Sequence, residues 1–106
     1  MSDIKDNKEW FAIYVRSRSE KMVFKQLGDI GVESFLPLIT RLKQWSDRKK
    51  KVVEPLFRSY VFVRHDIRDH NKYYDILNIP GVVRFITIEK KPVAVPENQI
   101  IAIKEY

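Results

Sequence analysis

The chain contains no cysteine, which removes disulfides, thiolate zinc sites and cysteine nucleophiles from consideration. Its three glycines cannot build a glycine-rich phosphate loop. No apolar run approaches the roughly 20 residues that span a bilayer. The opening Met1-Ser2-Asp3-Ile4-Lys5-Asp6 has no hydrophobic signal-peptide segment. A soluble intracellular protein without membrane partners is therefore expected. Serine, histidine and aspartate all occur, but no nucleophile elbow accompanies them.

What is present fits one folded domain of 106 residues, with 44% hydrophobic and 12% aromatic residues. Met1 to Lys8 is polar and reads as a disordered tail, with the domain spanning residues 9–106. The net charge of +6 favours anionic partners, although 14 acidic residues dilute that inference. Charge alone does not separate nucleic acid from an acidic protein surface.

The segment Pro55-Leu56-Phe57-Arg58-Ser59-Tyr60-Val61-Phe62-Val63 is the most informative. In a strand, Tyr60 and Phe62 share one face while Val61 and Val63 share the other, so both faces are apolar. Either the chain covers both faces itself or a partner covers one of them.

Around it, Trp10 to Val15 reads as a strand with Trp10, Ala12 and Tyr14 on one face. Ser17-Arg18-Ser19-Glu20 has capping-box spacing, and a helix follows from about Ser19 to Asp29, stopped by Gly31. Val32 to Trp45 reads as one long strand with Pro37 at a bulge or edge position. Ser46 to Lys50 would be a polar turn, returning as a strand from Lys51 to Leu56 and making a hairpin with a basic tip. Asp69 caps a short helix with Tyr73, Ile76 and Leu77 inward, ended by Ile79-Pro80-Gly81. Val82 to Ile88 is another strand, and Glu89 to Pro92 a turn. Pro96 suits the first turn of a last helix whose Ile100, Ile101 and Ile103 face the core. The class is α+β, an antiparallel β-sheet flanked by helices on a ferredoxin-like βαββαβ theme, with one strand pair added.

Trp10, Tyr14, Phe57, Tyr60 and Phe62 would cluster if their strands are neighbours, either as core under the terminal helix or as a site. Tyrosine suits a half-wet interface, and an amphipathic helical hairpin of another protein could lie there. Arg48-Lys49-Lys50-Lys51 is a solvated hairpin tip or a phosphate-contacting finger. Arg16, Arg18 and Lys25 could form a second basic patch. His65 and His70 lie near Asp66 and Asp69, but their spacing follows no metal-site pattern and they read as ordinary surface residues. The residues thus describe a binding module, not an enzyme, with no metal and no cofactor.

The Phe57 to Val63 segment resembles the signature of the NusG N-terminal domain family, in which a Phe-Pro-Gly-Tyr core precedes an apolar strand. Trp10-Phe11 is similar to the family's opening strand, Ile79 to Phe85 to its Pro-Gly-Val segment, and Pro92 to Pro96 to its closing segment. The resemblance runs from Trp10 to about Lys104. It departs at Arg58-Ser59, where the family has Pro-Gly. Glu54 to Phe57 and Val95-Pro96 resemble specialised paralogues of the RfaH type. Leu36 to Leu38 and Gln44 to Lys50 resemble UpxY-type antiterminators.

The resemblance implies a cytoplasmic, bacterial transcription elongation and antitermination domain, and a monomer is expected. Its partner would be RNA polymerase, at the clamp helices of the largest subunit, with processive elongation as the effect. The family's pocket falls on Tyr14, Phe57, Tyr60, Phe62, Ile88 and Ile100. Contacts to non-template DNA fall on Arg16, Arg18, Lys25 and Gln26. A relative's second polymerase contact, a His-Thr-Thr segment, corresponds to Lys72-Tyr73-Tyr74. The family's small C-terminal KOW β-barrel is expected to be absent from this chain. The competing expectation is an independent single-stranded nucleic-acid binder that stacks bases on its aromatics.

Overall fold

In the computed structural model, which describes residues 7–106, strand β1 (Glu9–Val15) runs through the middle of an antiparallel sheet. Most of the tail reading for Met1 to Lys8 therefore lies outside the described residues. Helix α1 (Glu20–Asp29) follows, then β2 (Glu33–Phe35), β3 (Leu38–Trp45), β4 (Arg48–Pro55) and β5 (Tyr60–His65). Helix α2 (His70–Leu77), β6 (Val82–Phe85), β7 (Thr87–Ile88), β8 (Lys91–Pro92), β9 (Ala94–Val95) and helix α3 (Glu97–Lys104) complete the chain. The main sheet has the order β2-β5-β1-β6, and β9 pairs with the Trp10 end of β1. With the added ribbons set aside, this is the ferredoxin-like α+β arrangement.

Alternation along β1 and β5 sorts the side chains between two layers. On the back face, Phe11, Ile13, Val15, Val61 and Val63 are buried with Val23 and Leu27 of α1, Ile76 of α2 and Phe85 of β6. Each such side chain contributes about 1.5–3 kcal/mol when fully buried, so this layer dominates stability. On the front face, Trp10 and Phe62 are buried with Ile100 of α3. Both apolar faces of β5 are thus used, one by the back core and the other partly by the terminal helix.

Several local expectations give way to specific forces. The long strand from Val32 to Trp45 breaks at Leu36-Pro37, because proline has no N–H with which to continue the ladder. The Pro37 carbonyl instead accepts from Leu56 N–H at 2.8 Å, closing the base of the β3–β4 ribbon. The ribbon turn is only Ser46-Asp47, so Arg48, Lys49 and Lys50 stand on β4 instead of in the loop.

Ser19 is the N-cap of α1 without a side-chain cap bond, and Glu20 does not serve a capping box. Val82 to Ile88 also divides: Ile86 still donates to Ala12 O of β1 at 2.9 Å, but Thr87 and Ile88 then pair with Pro92 and Lys91 in the β7–β8 ribbon. Lys91-Pro92 belongs to β8, leaving Glu89-Lys90 as a turn with φ of 52° and 68°. Pro96 is the N-cap of α3, one residue outside it, and Ile101 is exposed instead of core-facing. Asp69, by contrast, caps α2 as expected, its carboxylate accepting from Lys72 N–H at 3.0 Å.

Candidate interaction face

The register of β1 against β5 places Tyr14 opposite Tyr60 and Ala12 opposite Phe62. The Tyr14 and Tyr60 rings lie 5.7 Å apart, and the Arg84 guanidinium sits 5.7 Å from the Tyr14 ring centroid. Phe57, in the loop before β5, meets Phe62 edge-on at 6.1 Å. Helix α3 covers the Trp10 end of this face and stops short of Tyr60 and Phe57, which are 37% and 39% exposed. The result is an open aromatic strip whose far end is sealed by a helix.

Two of the six expected pocket residues occupy other positions. Ile100 is 1% exposed and packs from α3 onto Phe62 and Trp10, so in this structure it is part of the helix that covers this end of the face. Ile88 is 65% exposed on the separate β7–β8 ribbon, where it pairs with Lys91.

Phe35, stacked on Phe62 at 6.1 Å, and Arg84 belong to the face but were not singled out by sequence reasoning. Both could have been found by strand alternation, once the pairing of β2 with β5 and of β6 with β1 was known. Lys104 places its ammonium 5.4 Å from the Trp10 ring and 5.3 Å from the Phe35 ring, a cation–π clasp from α3 onto the sheet. Next to it, Phe35, Leu38, Leu56, Ile103 and Tyr106 line a cavity of about 170 Å³.

The loop that presents Phe57 and Tyr60 is fixed from behind. Ser59 has φ of 68°, a left-handed conformation that favours glycine, at the position where the resemblance has Gly. Its N–H donates to the buried Glu20 carboxylate at 2.8 Å, and its carbonyl accepts from Val15 N–H at 2.8 Å. Gly81, at φ of 98°, accepts from Arg16 N–H at 2.7 Å on the other side of β1.

The candidate nucleic-acid residues do not form one patch. Arg18 lines a cleft of about 460 Å³ with Lys21, Lys43, Arg58, Glu20 and Glu54. Arg16 is exposed outside that cleft, Lys25 pairs with Asp29 at 3.8 Å, and Gln26 is half-buried on α1. In Lys72-Tyr73-Tyr74, the Lys72 ammonium donates to Ile30 O at 2.9 Å and Tyr73 stacks inward on Phe85 at 4.7 Å. Tyr74 alone of the three is exposed.

His65 is not a surface residue. It is 3% exposed, boxed by the rings of Phe11, Tyr73 and Phe85 at 6.2–6.5 Å, and its Nε2 has no hydrogen-bond partner. Burial holds its pKa below the usual histidine value, and Asp69 and Asp66 only partly oppose this. Asp66 is itself held low by hydrogen bonds from the Arg68 guanidinium and backbone. Among the described residues no group of three or more His, Cys, Asp or Glu could hold a metal, and no helix is long and apolar enough to cross a membrane.

Known proteins resemble this chain over most of its length. The family model described as transcription termination factor NusG matches residues 8–104. The transcription termination/antitermination protein NusG of Rickettsia bellii (strain RML369-C) is 24% identical over 109 residues, covering 94% of this chain and 57% of its own length. That of Helicobacter pylori (strain J99) is 31% identical over 107 residues, covering 92% of this chain and 60% of its own. The chain thus spans less than two thirds of the length of these relatives. A solved structure concerning domain interaction in Thermotoga maritima NusG superposes with a TM-score of 0.59 at 25% identity, covering 91% of this chain and 55% of that one.

Proposed function

Because this chain belongs to the NusG family, we propose that its open aromatic strip docks on the clamp helices of the largest subunit of bacterial RNA polymerase. The observation that carries this reading is the exposure of Tyr60 and Phe57 beside a face otherwise sealed by α3. Such a strip suits the apolar side of an amphipathic helix pair, and tyrosine hydroxyls tolerate the wet rim. Arg84 beside Tyr14 offers a cation to an acidic residue of the partner.

The effect on transcription is a population shift. A domain that holds the clamp in its closed state favours that state by its differential affinity, and no covalent step is needed. Processive elongation in the bacterial cytoplasm is the outcome. Arg16, Arg18, Lys25 and Gln26 contribute cationic and polar contacts to non-template DNA, with Arg18 the best placed. Tyr74 carries any second polymerase contact, since Lys72 and Tyr73 are engaged within the fold. The Arg58-Ser59 departure favours a specialised paralogue over the general factor.

The test is titration with an isolated clamp-helix fragment, comparing wild type and Tyr60→Ala. A hot-spot tyrosine is worth about 2 kcal/mol or more, so affinity should fall roughly 30-fold. Unchanged affinity in a folded variant would reject this face as the docking site.

A further inference from the structure

The β3–β4 ribbon leaves the sheet, and no residue between Leu38 and Pro55 belongs to either core cluster. Eight consecutive pairs hold it together, an arm of about 26 Å at the usual strand rise. The molecule is correspondingly elongated, 62 Å along one axis and 29 Å along the others.

The arm carries six cations, Arg41, Lys43, Arg48, Lys49, Lys50 and Lys51, against Asp47 and Glu54. Glu54, at its base, receives Arg41 Nε at 2.9 Å and Lys43 Nζ at 2.9 Å. Those contacts draw the Lys43 ammonium away from Lys50, which stands directly opposite it in the ladder. Like charges facing one another weaken a strand pair, so the arrangement is poorly explained as a fold-stabilising one. Arg48, Lys49, Lys50 and Lys51 are exposed and make no ion pair among the described residues. Strand alternation sets Arg48 and Lys50 on one face and Lys49 and Lys51 on the other.

We infer that this ribbon enters the major groove of double-stranded DNA and holds phosphates on both walls, Arg48 and Lys50 on one side and Lys49 and Lys51 on the other. The B-form major groove, about 12 Å wide, admits a two-stranded ribbon between two phosphate-lined walls. A-form RNA has a groove too narrow for it, and a single strand offers one wall only. Contacts of this kind position a protein without reading sequence. The inference is independent of the polymerase reading, since it concerns another surface and another ligand.

The experiment is fluorescence anisotropy of this chain with labelled DNA duplexes of about 20 base pairs, two helical turns, in two unrelated sequences across a salt series. Duplex RNA and single-stranded DNA of equal length are the comparison arms. Both DNA duplexes should bind equally and more tightly than either comparison. Replacing Arg48, Lys49, Lys50 and Lys51 together by glutamine should make the plot of log affinity against log salt shallower by about 3–4, near 0.9 per phosphate lost. The single-face variants R48Q/K50Q and K49Q/K51Q should each remove about half of that change. Absence of duplex binding at low salt, an unchanged slope, a loss confined to one face, or equal binding of RNA or single strands would overturn the inference.

Discussion

Glu20, the first residue of α1, accepts a hydrogen bond from the backbone N–H of Ser59, 39 residues later, at 2.8 Å. One buried carboxylate thereby fixes the loop that offers Phe57 and Tyr60 to the outside. Replacing Glu20 by alanine should cost about 1.5–3 kcal/mol, the range for a hydrogen bond to a charged group, and should loosen Phe57 and Tyr60 together. Chemical denaturation, with amide exchange read at Ser59, measures both effects.

Ser59 itself is in a backbone state that costs a non-glycine residue roughly 1–2 kcal/mol. Glycine removes that strain but gives back roughly 0.5–1 kcal/mol of unfolded-state entropy. Ser59→Gly should therefore stabilise the domain by up to about 1.5 kcal/mol, a rise of several degrees in Tm. A fall in Tm would mean that the serine side chain makes a contribution outweighing its strain.

The opposite sign is expected at Gly81. An added Cβ there would lie 3.1 Å from Ser19 Cβ and 3.2 Å from Val23 Cγ2, in a backbone conformation at φ of 98° that alanine resists. Gly81→Ala should cost about 1–3 kcal/mol and displace the first turn of α1. Comparing its melting curve with that of Gly28→Ala controls for general glycine effects, since nothing lies within 4 Å of a Cβ at Gly28.

Ile100 and Tyr60 should separate in their effects. Ile100→Ala opens a cavity between α3 and the Phe62–Trp10 surface and should cost about 2–5 kcal/mol of stability. Tyr60→Ala removes a half-exposed ring and should leave stability nearly unchanged while binding weakens. Denaturant midpoints and clamp-fragment affinities for the two variants decide the matter. Equal stability loss in both would show that Tyr60 is core.

His65 gives the domain an acid sensitivity. Its folded-state pKa is depressed below the ordinary value near 6.5, so the unfolded chain takes up the proton first as pH falls. Its contribution is complete above about pH 6.5 and is lost as pH drops through the folded-state pKa. Melting temperatures between pH 7.5 and 5 should fall for wild type and fall less for His65→Phe, which keeps a ring in the aromatic box. Parallel profiles would assign the acid sensitivity to other groups.

The parts of this architecture legible in sequence were those set by short-range periodicity. Alternation in Trp10 to Val15 and Tyr60 to Val63 assigned the faces of both central strands, and Asp69 announced its helix. What could not be read required knowledge of neighbours. Glu20 had capping-box spacing, yet its carboxylate is taken by a loop 39 residues away. Ile100 and Ile101 are equally apolar, and only the sheet beneath α3 decides which one is buried. His65 follows the parity of Val61 and Val63, so its burial was available from alternation and was obscured by the acidic residues beside it.

The break at Leu36-Pro37 has a consequence for how such a chain can diversify. From Leu38 to Pro55 no side chain is shared with either hydrophobic cluster, so residues on the arm can be exchanged without repacking the sheet. Substitutions can therefore retune what the arm touches and leave the packing behind the aromatic strip undisturbed.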